Sequence, residues 1–135
     1  MNPSTHALVG KTLGALVRRP AAALACGILS HALLDFLPHR DSKSAGWRAV
    51  DAGLTLSILA SAFLSSDAEL AGAIGAIVPD LENAADLWRP AGGRKFFPSH
   101  QVSHRRGPVR FRIATELLVV ATALLAGAIA PAPPN

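Results

Sequence analysis

A histidine and an aspartate four residues apart lie in an apolar stretch of the chain. His31 and Asp35 are separated only by Ala32-Leu33-Leu34, and the segment 27–30 before them carries no charge. Positions i and i+4 share one face of a helix. An ionisable pair in such surroundings is costly unless a partner or an ion satisfies it. The pair therefore indicates a metal site or, alternatively, a His–Asp contact within one helix or between two helices.

Further imidazoles and carboxylates extend this pair into a candidate metal centre. His100 and His104 repeat the i, i+4 spacing, while His6 lies near the start of the chain. Mixed imidazole and carboxylate ligands suit Zn²⁺, or Mn²⁺ or Fe²⁺ where carboxylates dominate. The predicted metal ligands are His6, His31, Asp35, His39, Asp80, His100 and His104.

Several of these residues, and three further acidic residues, also have a simpler interpretation. Asp80 follows Pro79 and is of a type that forms turns. His6 could be only a helix-terminal histidine, and His100 with His104 could belong to a solvated loop. Asp51 could cap a helix, Asp41 could be a turn residue, and Glu116 could pair with Arg112 at i, i+4.

Proline and charge divide the chain into elements that must position these residues. We predict a single domain over residues 1–135, with a Pro-rich tail at 131–135. The stretch from Asp80 to Arg110 is polar and predicts a long loop with at most one short helix. The five predicted helices are Thr5–Val17, begun by Ser4 or Thr5 as N-cap, then Ala21–Leu37, Val50–Leu64, Ala68–Val78, ended by Pro79, and Arg112–Ala130.

The composition predicts an all-α integral membrane bundle of about five helices with a polar cytoplasmic loop. Half of the 135 residues are hydrophobic and 16% are charged, against about 25% charged in soluble domains. This excludes intrinsic disorder, and a lone Cys26 excludes a disulfide scaffold. No Tyr is present and aromatic residues total 5%, which argues against a nucleic-acid partner. Because no apolar run reaches about 20 residues, a soluble helical bundle is the alternative, although segment 54–64 lacks the polar face expected there.

Charge distribution predicts the orientation in a membrane. The apolar stretch before Cys26 is shorter than the hydrophobic region of a signal peptide, which has roughly 7–15 residues. We therefore expect the N-terminus to be retained. Threading the helices as alternating passes places most basic residues, with all five histidines, on one side. By the positive-inside rule that side is cytoplasmic. The basic residues assigned to it are Arg40, Lys43, Arg48, Arg89, Arg94, Lys95, Arg105, Arg106, Arg110 and Arg112.

Four short motifs resemble those of the bacterial membrane-bound metal-dependent hydrolases. They are Thr5–Gly10, Gly27–Asp35, Pro38–Asp41 and Gly75–Asp80, and the resemblance covers about residues 1–105. These small inner-membrane proteins are distantly similar to zinc-dependent phospholipase C. The resemblance implies a bacterial inner-membrane location and a metal-dependent hydrolase of phosphoester bonds, with membrane lipid headgroups as candidate substrates.

A hydrolase of this kind also needs a base outside the ligands of the ion. Glu82, two residues beyond Asp80, is the first candidate and Asp51 is the second, while Arg105 or Arg106 would offset phosphate charge. Alternatively, Glu82 is a solvated loop carboxylate. The competing function is a non-catalytic membrane protein stapled by a metal, acting as a sensor or partner subunit. More candidate ligands are present than one saturated site needs, which favours catalysis; the sequence does not predict the substrate or the oligomeric state.

Overall fold

The computed structural model describes residues 1–39, 44–85, 97 and 109–131. Within these ranges the chain is all-helical, with five helices and no strand. This confirms that the fold is all-α, as predicted. The helices are α1 (Pro3–Val17), α2 (Pro20–Asp35), α3 (Ala45–Ser65), α4 (Asp67–Ala85) and α5 (Val109–Ile129).

Helix ends differ from the prediction where proline is involved. Pro3 and Pro20 occupy the first helical turns of α1 and α2, where the missing N–H costs no hydrogen bond. Asn2, and not Ser4 or Thr5, is at the N-cap position of α1. The prediction that Pro79 ends the fourth helix is wrong, because α4 continues through it to Ala85. Pro79 is fully buried, and packed neighbours make an internal proline tolerable.

The helices run up and down with short turns at one end. Arg18, in a left-handed conformation with φ 61°, makes the turn between α1 and α2, and its guanidinium donates to the Pro131 carbonyl beyond α5 at 2.6 Å. Ser66 separates α3 from α4, and its hydroxyl accepts the Glu69 N–H at 3.2 Å as an N-terminal cap. The first turn of α1 therefore lies at the opposite end of the bundle.

Small residues allow α1, α2 and α4 to form a tightly packed centre. A Cβ added to Gly72 in α4 would collide with the Gly10 carbonyl of α1. One added to Gly27 in α2 would collide with the Gly72 carbonyl. Helices that approach this closely are typical of interfaces rich in small residues. α3 packs on α1 and α4, while α5 packs on α1.

The distribution of large side chains is the reverse of that in a soluble domain. The apolar residues of the core are mostly alanines, and the largest fully buried side chains are His6, His31 and Pro79. Large apolar side chains of α3 and α5 are exposed, among them Leu64 at 83% and Ile129 at 82%. These two helices, of 21 residues each, are long and apolar enough to cross a membrane.

Candidate metal centre

Two buried imidazoles from different helices face each other at the centre of the site. His6, in the first turns of α1, and His31, near the end of α2, are both fully buried. Their rings stack with centroids 4.0 Å apart and an interplanar angle of 22°. The two residues are brought together because α1 and α2 pack as an antiparallel pair.

The backbone of α4 fixes the orientation of His31. Nδ1 of His31 lies 2.7 Å from the Ala76 carbonyl oxygen. Since a carbonyl only accepts, Nδ1 carries the proton and Nε2 faces the other way. Nε2 lies 3.1 Å from Asp35 Oδ2 and 3.9 Å from Asp80 Oδ1. Either a second proton or a cation must therefore occupy the space between this nitrogen and the carboxylates.

Asp35 lies beside both histidines, and its contact with His31 is the one that the sequence offered as the alternative to a metal site. Its Oδ1 is 3.3 Å from His6 Nε2 and 3.2 Å from the α-amino group of Met1. This carboxylate is almost completely buried. Such a charge is stable only with compensating partners around it, so Asp35 ties the start of α1 to the end of α2.

The donor atoms are close enough for one ion. One ligand atom each from His6, His31 and Asp80 lie within 4.8 Å of one another. Nδ1 of His6 has no hydrogen-bond partner among the described residues, while its Nε2 faces Asp35. In tetrahedral zinc sites, bonds of about 2.0–2.1 Å place neighbouring ligand atoms about 3.3 Å apart. His31 Nε2 and Asp80 Oδ1, 3.9 Å apart, are slightly farther apart than this.

The first turn of α1 also binds carboxylates from the outer helices. Asp51 of α3 accepts hydrogen bonds from the hydroxyl and backbone N–H of Ser4. Glu116 of α5 accepts from Asn2 Nδ2 at 2.7 Å and from Thr5 Oγ1 at 3.2 Å. Together with Asp35 and Asp80, four helices each place a carboxylate around this turn. The interpretation of Glu116 as only a partner of Arg112 does not account for these contacts.

Three simpler interpretations of acidic residues are wrong. Asp51 lies inside α3, which begins at Ala45, so it does not cap the helix. Asp80 and Glu82 lie within α4 and not in a turn or loop, because the helix passes Pro79. Glu82 is buried, and its Oε2 accepts the Phe97 backbone N–H at 2.9 Å.

Two predicted ligands within the described residues, Asp35 and His39, do not belong to the group of three. His39 is buried beyond α2, where its Nδ1 donates to the Leu37 carbonyl at 2.8 Å. His100, His104 and the neighbouring candidate Asp41 lie outside the described residues. Sequence reasoning missed the contributions of Ser4 and the Ala76 carbonyl, because both depend on how the helices pack and not on a local sequence pattern.

An open groove leads outward from this site along α3. It has a volume of about 710 Å³ and runs between α3, α4 and the first residues of the chain. Asp80 and Asp51 line one part of it, and apolar side chains such as Leu56 and Ile77 line the rest. The candidate ligand Asp80 is thus accessible from outside the helical core.

Comparison with protein-family models, curated proteins and solved structures gives no match to this chain. The resemblance to membrane-bound hydrolases therefore stays a prediction carried by the four motifs. Function must be inferred from the geometry of the His6–His31–Asp80 group and its surroundings.

Proposed function

We propose that this chain is an integral membrane protein with its metal site at the cytoplasmic face of a bacterial inner membrane. The large apolar side chains on α3 and α5 need a nonpolar environment, since soluble monomers rarely expose such surfaces. Hydroxyls on α3 bond within the helix, as Thr55 to the Asp51 carbonyl at 2.8 Å and Ser57 to the Gly53 carbonyl at 2.9 Å. This bonding removes polar groups from contact with lipid.

We further propose that His6, His31 and Asp80 hold one divalent ion, with Zn²⁺ favoured and Mn²⁺ or Fe²⁺ as alternatives. The two stacked imidazoles lie beside the carboxylates of Asp35 and Asp80. A cation bound among these groups would balance the negative charge of the carboxylates. The Ala76 carbonyl holds the tautomer of His31 that aims Nε2 at this position, as partners of metal-bound histidines commonly do.

The function that this site favours is hydrolysis of a phosphoester bond, and the observation that carries it is the groove that reaches Asp80. A divalent ion supplies polarisation of a phosphoryl oxygen and makes water acidic enough to deprotonate near neutral pH. His6, His31 and Asp80 would hold the ion, Asp35 would position both imidazoles, and Glu82, or else Asp51, would accept the proton. Arg105 or Arg106, which lie outside the described residues, would offset phosphate charge.

A non-catalytic metal staple is the second candidate, and Asp35 favours it. If both carboxylates and both histidines bind the ion, four protein ligands saturate a tetrahedral site, as in structural zinc centres. The ion would then hold α1, α2 and α4 together without binding a substrate.

Metal analysis combined with an activity assay tests both candidates. The chain, tagged at its C-terminus, is purified in nonionic detergent as wild type, Asp80→Asn and Asp67→Asn. Both aspartates lie on α4, about 20 Å apart along its axis, so Asp67→Asn is the matched control. We expect one ion per chain in wild type and control, and loss of the ion in Asp80→Asn. Metal-free wild type would overturn the metal site; bound metal without hydrolysis of any phosphoester in a substrate panel would favour the staple.

A further inference from the structure

The groove beside the metal site has a polar end and an apolar length. At the polar end, Arg48, Asp51 and Asp80 line it, and Trp47 lies at the same end of α3. Beyond them its wall consists of side chains that include Leu56 and Leu59 of α3. This division into polar and apolar parts matches an amphiphile.

The length of the groove matches one leaflet of a bilayer. From Trp47 to Leu59 the lining follows α3 for about 18 Å. Half of a hydrocarbon core is about 15 Å thick. An acyl chain that enters from one leaflet can therefore lie along α3 and α4 with its head at Trp47 and Arg48.

The residues at the polar end of the groove indicate how deep in the membrane the headgroup of such a lipid would lie. Trp47 is 64% exposed, and tryptophan prefers the boundary between headgroups and hydrocarbon. Arg48 is exposed beside it, and an arginine guanidinium is a good partner for phosphate. Asp80 connects this level with His6 and His31, since it lines the groove and belongs to the same group of donors.

We propose that the groove between α3 and α4 binds one acyl chain of a membrane phospholipid and presents its phosphate to Arg48 and to the His6–His31–Asp80 group. The acyl-chain site stands on the groove itself, while its role in presenting a substrate rests on the proposed hydrolase function. A lipid bound here would bring its phosphoester to the site without leaving the bilayer.

Two alanines of α3 allow a matched test. Ala52 lines the groove, whereas Ala60 is exposed on the same helix outside the lining. Wild type, Ala52→Trp and Ala60→Trp are purified in nonionic detergent with added phosphatidylglycerol, and native mass spectrometry measures the retained lipid. We expect one retained phospholipid in wild type and Ala60→Trp and loss of most of it in Ala52→Trp. Equal retention in the two variants would overturn the proposal.

Two further readouts keep the outcome unambiguous. Metal content is measured on the same samples, and a bound ion in Ala52→Trp shows that the variant has folded around its site. Independently, wild type is photolabelled with a phospholipid that carries a diazirine on its acyl chain. Labels concentrated on Leu56 and Leu59 are expected, and labels spread equally over the exposed leucines of α5 would contradict the groove. Lipid retention without hydrolysis would refute only the catalytic function, because binding is measured separately.

Discussion

His6 stacks on His31 with ring centroids 4.0 Å apart, and this contact joins the first turns of α1 to the last turns of α2. Two imidazolium ions at this distance would repel each other strongly in a buried site. At most one ring carries a full charge in the absence of a metal, and the Asp35 carboxylate is the group that faces both. The stack therefore depends on a shared partner that faces a nitrogen of each ring.

Replacing His31 by alanine should release both the metal and a large part of the stability. The variant leaves Asp35 buried with one imidazole partner fewer, and breaking a buried pair costs about 3–5 kcal/mol. Thermal unfolding in detergent, with and without a chelator, measures this loss. Chelation should lower the melting temperature of wild type but leave that of His31→Ala unchanged.

Ser30→Ala is the matched control for this experiment, since Ser30 is a buried neighbour on α2 whose hydroxyl bonds to the Gly27 carbonyl of its own helix at 2.8 Å. Loss of one such bond costs about 0.5–1.5 kcal/mol, and metal content should not change. If the chelator leaves the melting temperature of wild type unchanged, the His–Asp contacts stabilise the bundle without a metal.

Gly72→Ala should destabilise the centre of the bundle, whereas Gly53→Ala should not. A methyl group on Gly72 meets the Gly10 carbonyl, while none of the described atoms lies within 4 Å of one added to Gly53. Overpacking costs about 1–3 kcal/mol. At Gly53, where a helix leaves open space, replacing glycine by alanine should raise the free energy of unfolding by up to about 1 kcal/mol. Melting temperatures that shift in opposite directions confirm the packing, and equal shifts would contradict it.

The i, i+4 spacing predicted the contact between His31 and Asp35 correctly, because both residues lie within one helix. The contact with His6 and Asp80 depends on how α1 and α4 pack, which periodicity does not report. The sequence predicts a helix end at Pro79 because proline usually breaks a helix in water. The helix continues through this fully buried proline, so Asp80 is a helical residue and not a turn residue.

Cysteine labelling from the two sides of the membrane should give opposite results for the two ends of α3. Ser44 and Ser66 flank this helix, so Ser44→Cys and Ser66→Cys, each made in a Cys26→Ala background, report its two ends. We expect a membrane-impermeant maleimide to label Ser44→Cys only from the cytoplasm and Ser66→Cys only from the other side. Labelling of both from one side would show that α3 does not span. A cysteine at Asn135 that reacts only from the cytoplasm would contradict the predicted topology.

Glu82→Gln should retain metal but lower phosphoester hydrolysis by about 10²–10⁴-fold, the usual contribution of a general base. Glutamine keeps the size of the side chain and an oxygen that accepts the Phe97 N–H, so the fold should be preserved while the base is lost. Hydrolysis of a phospholipid in mixed micelles, measured beside metal content, separates the two effects.

Asp51→Asn tests the second candidate base in the same assay. One oxygen of its carboxylate, Oδ1, accepts both hydrogen bonds from Ser4, and asparagine retains an oxygen that can accept both. Asp67→Asn, at the far end of α4, serves again as the control for a lost carboxylate. If Glu82→Gln turns over normally, Glu82 is eliminated as the base. If Asp51→Asn is also unimpaired, proton transfer to either carboxylate is eliminated, and the metal staple becomes the better account of the buried histidines.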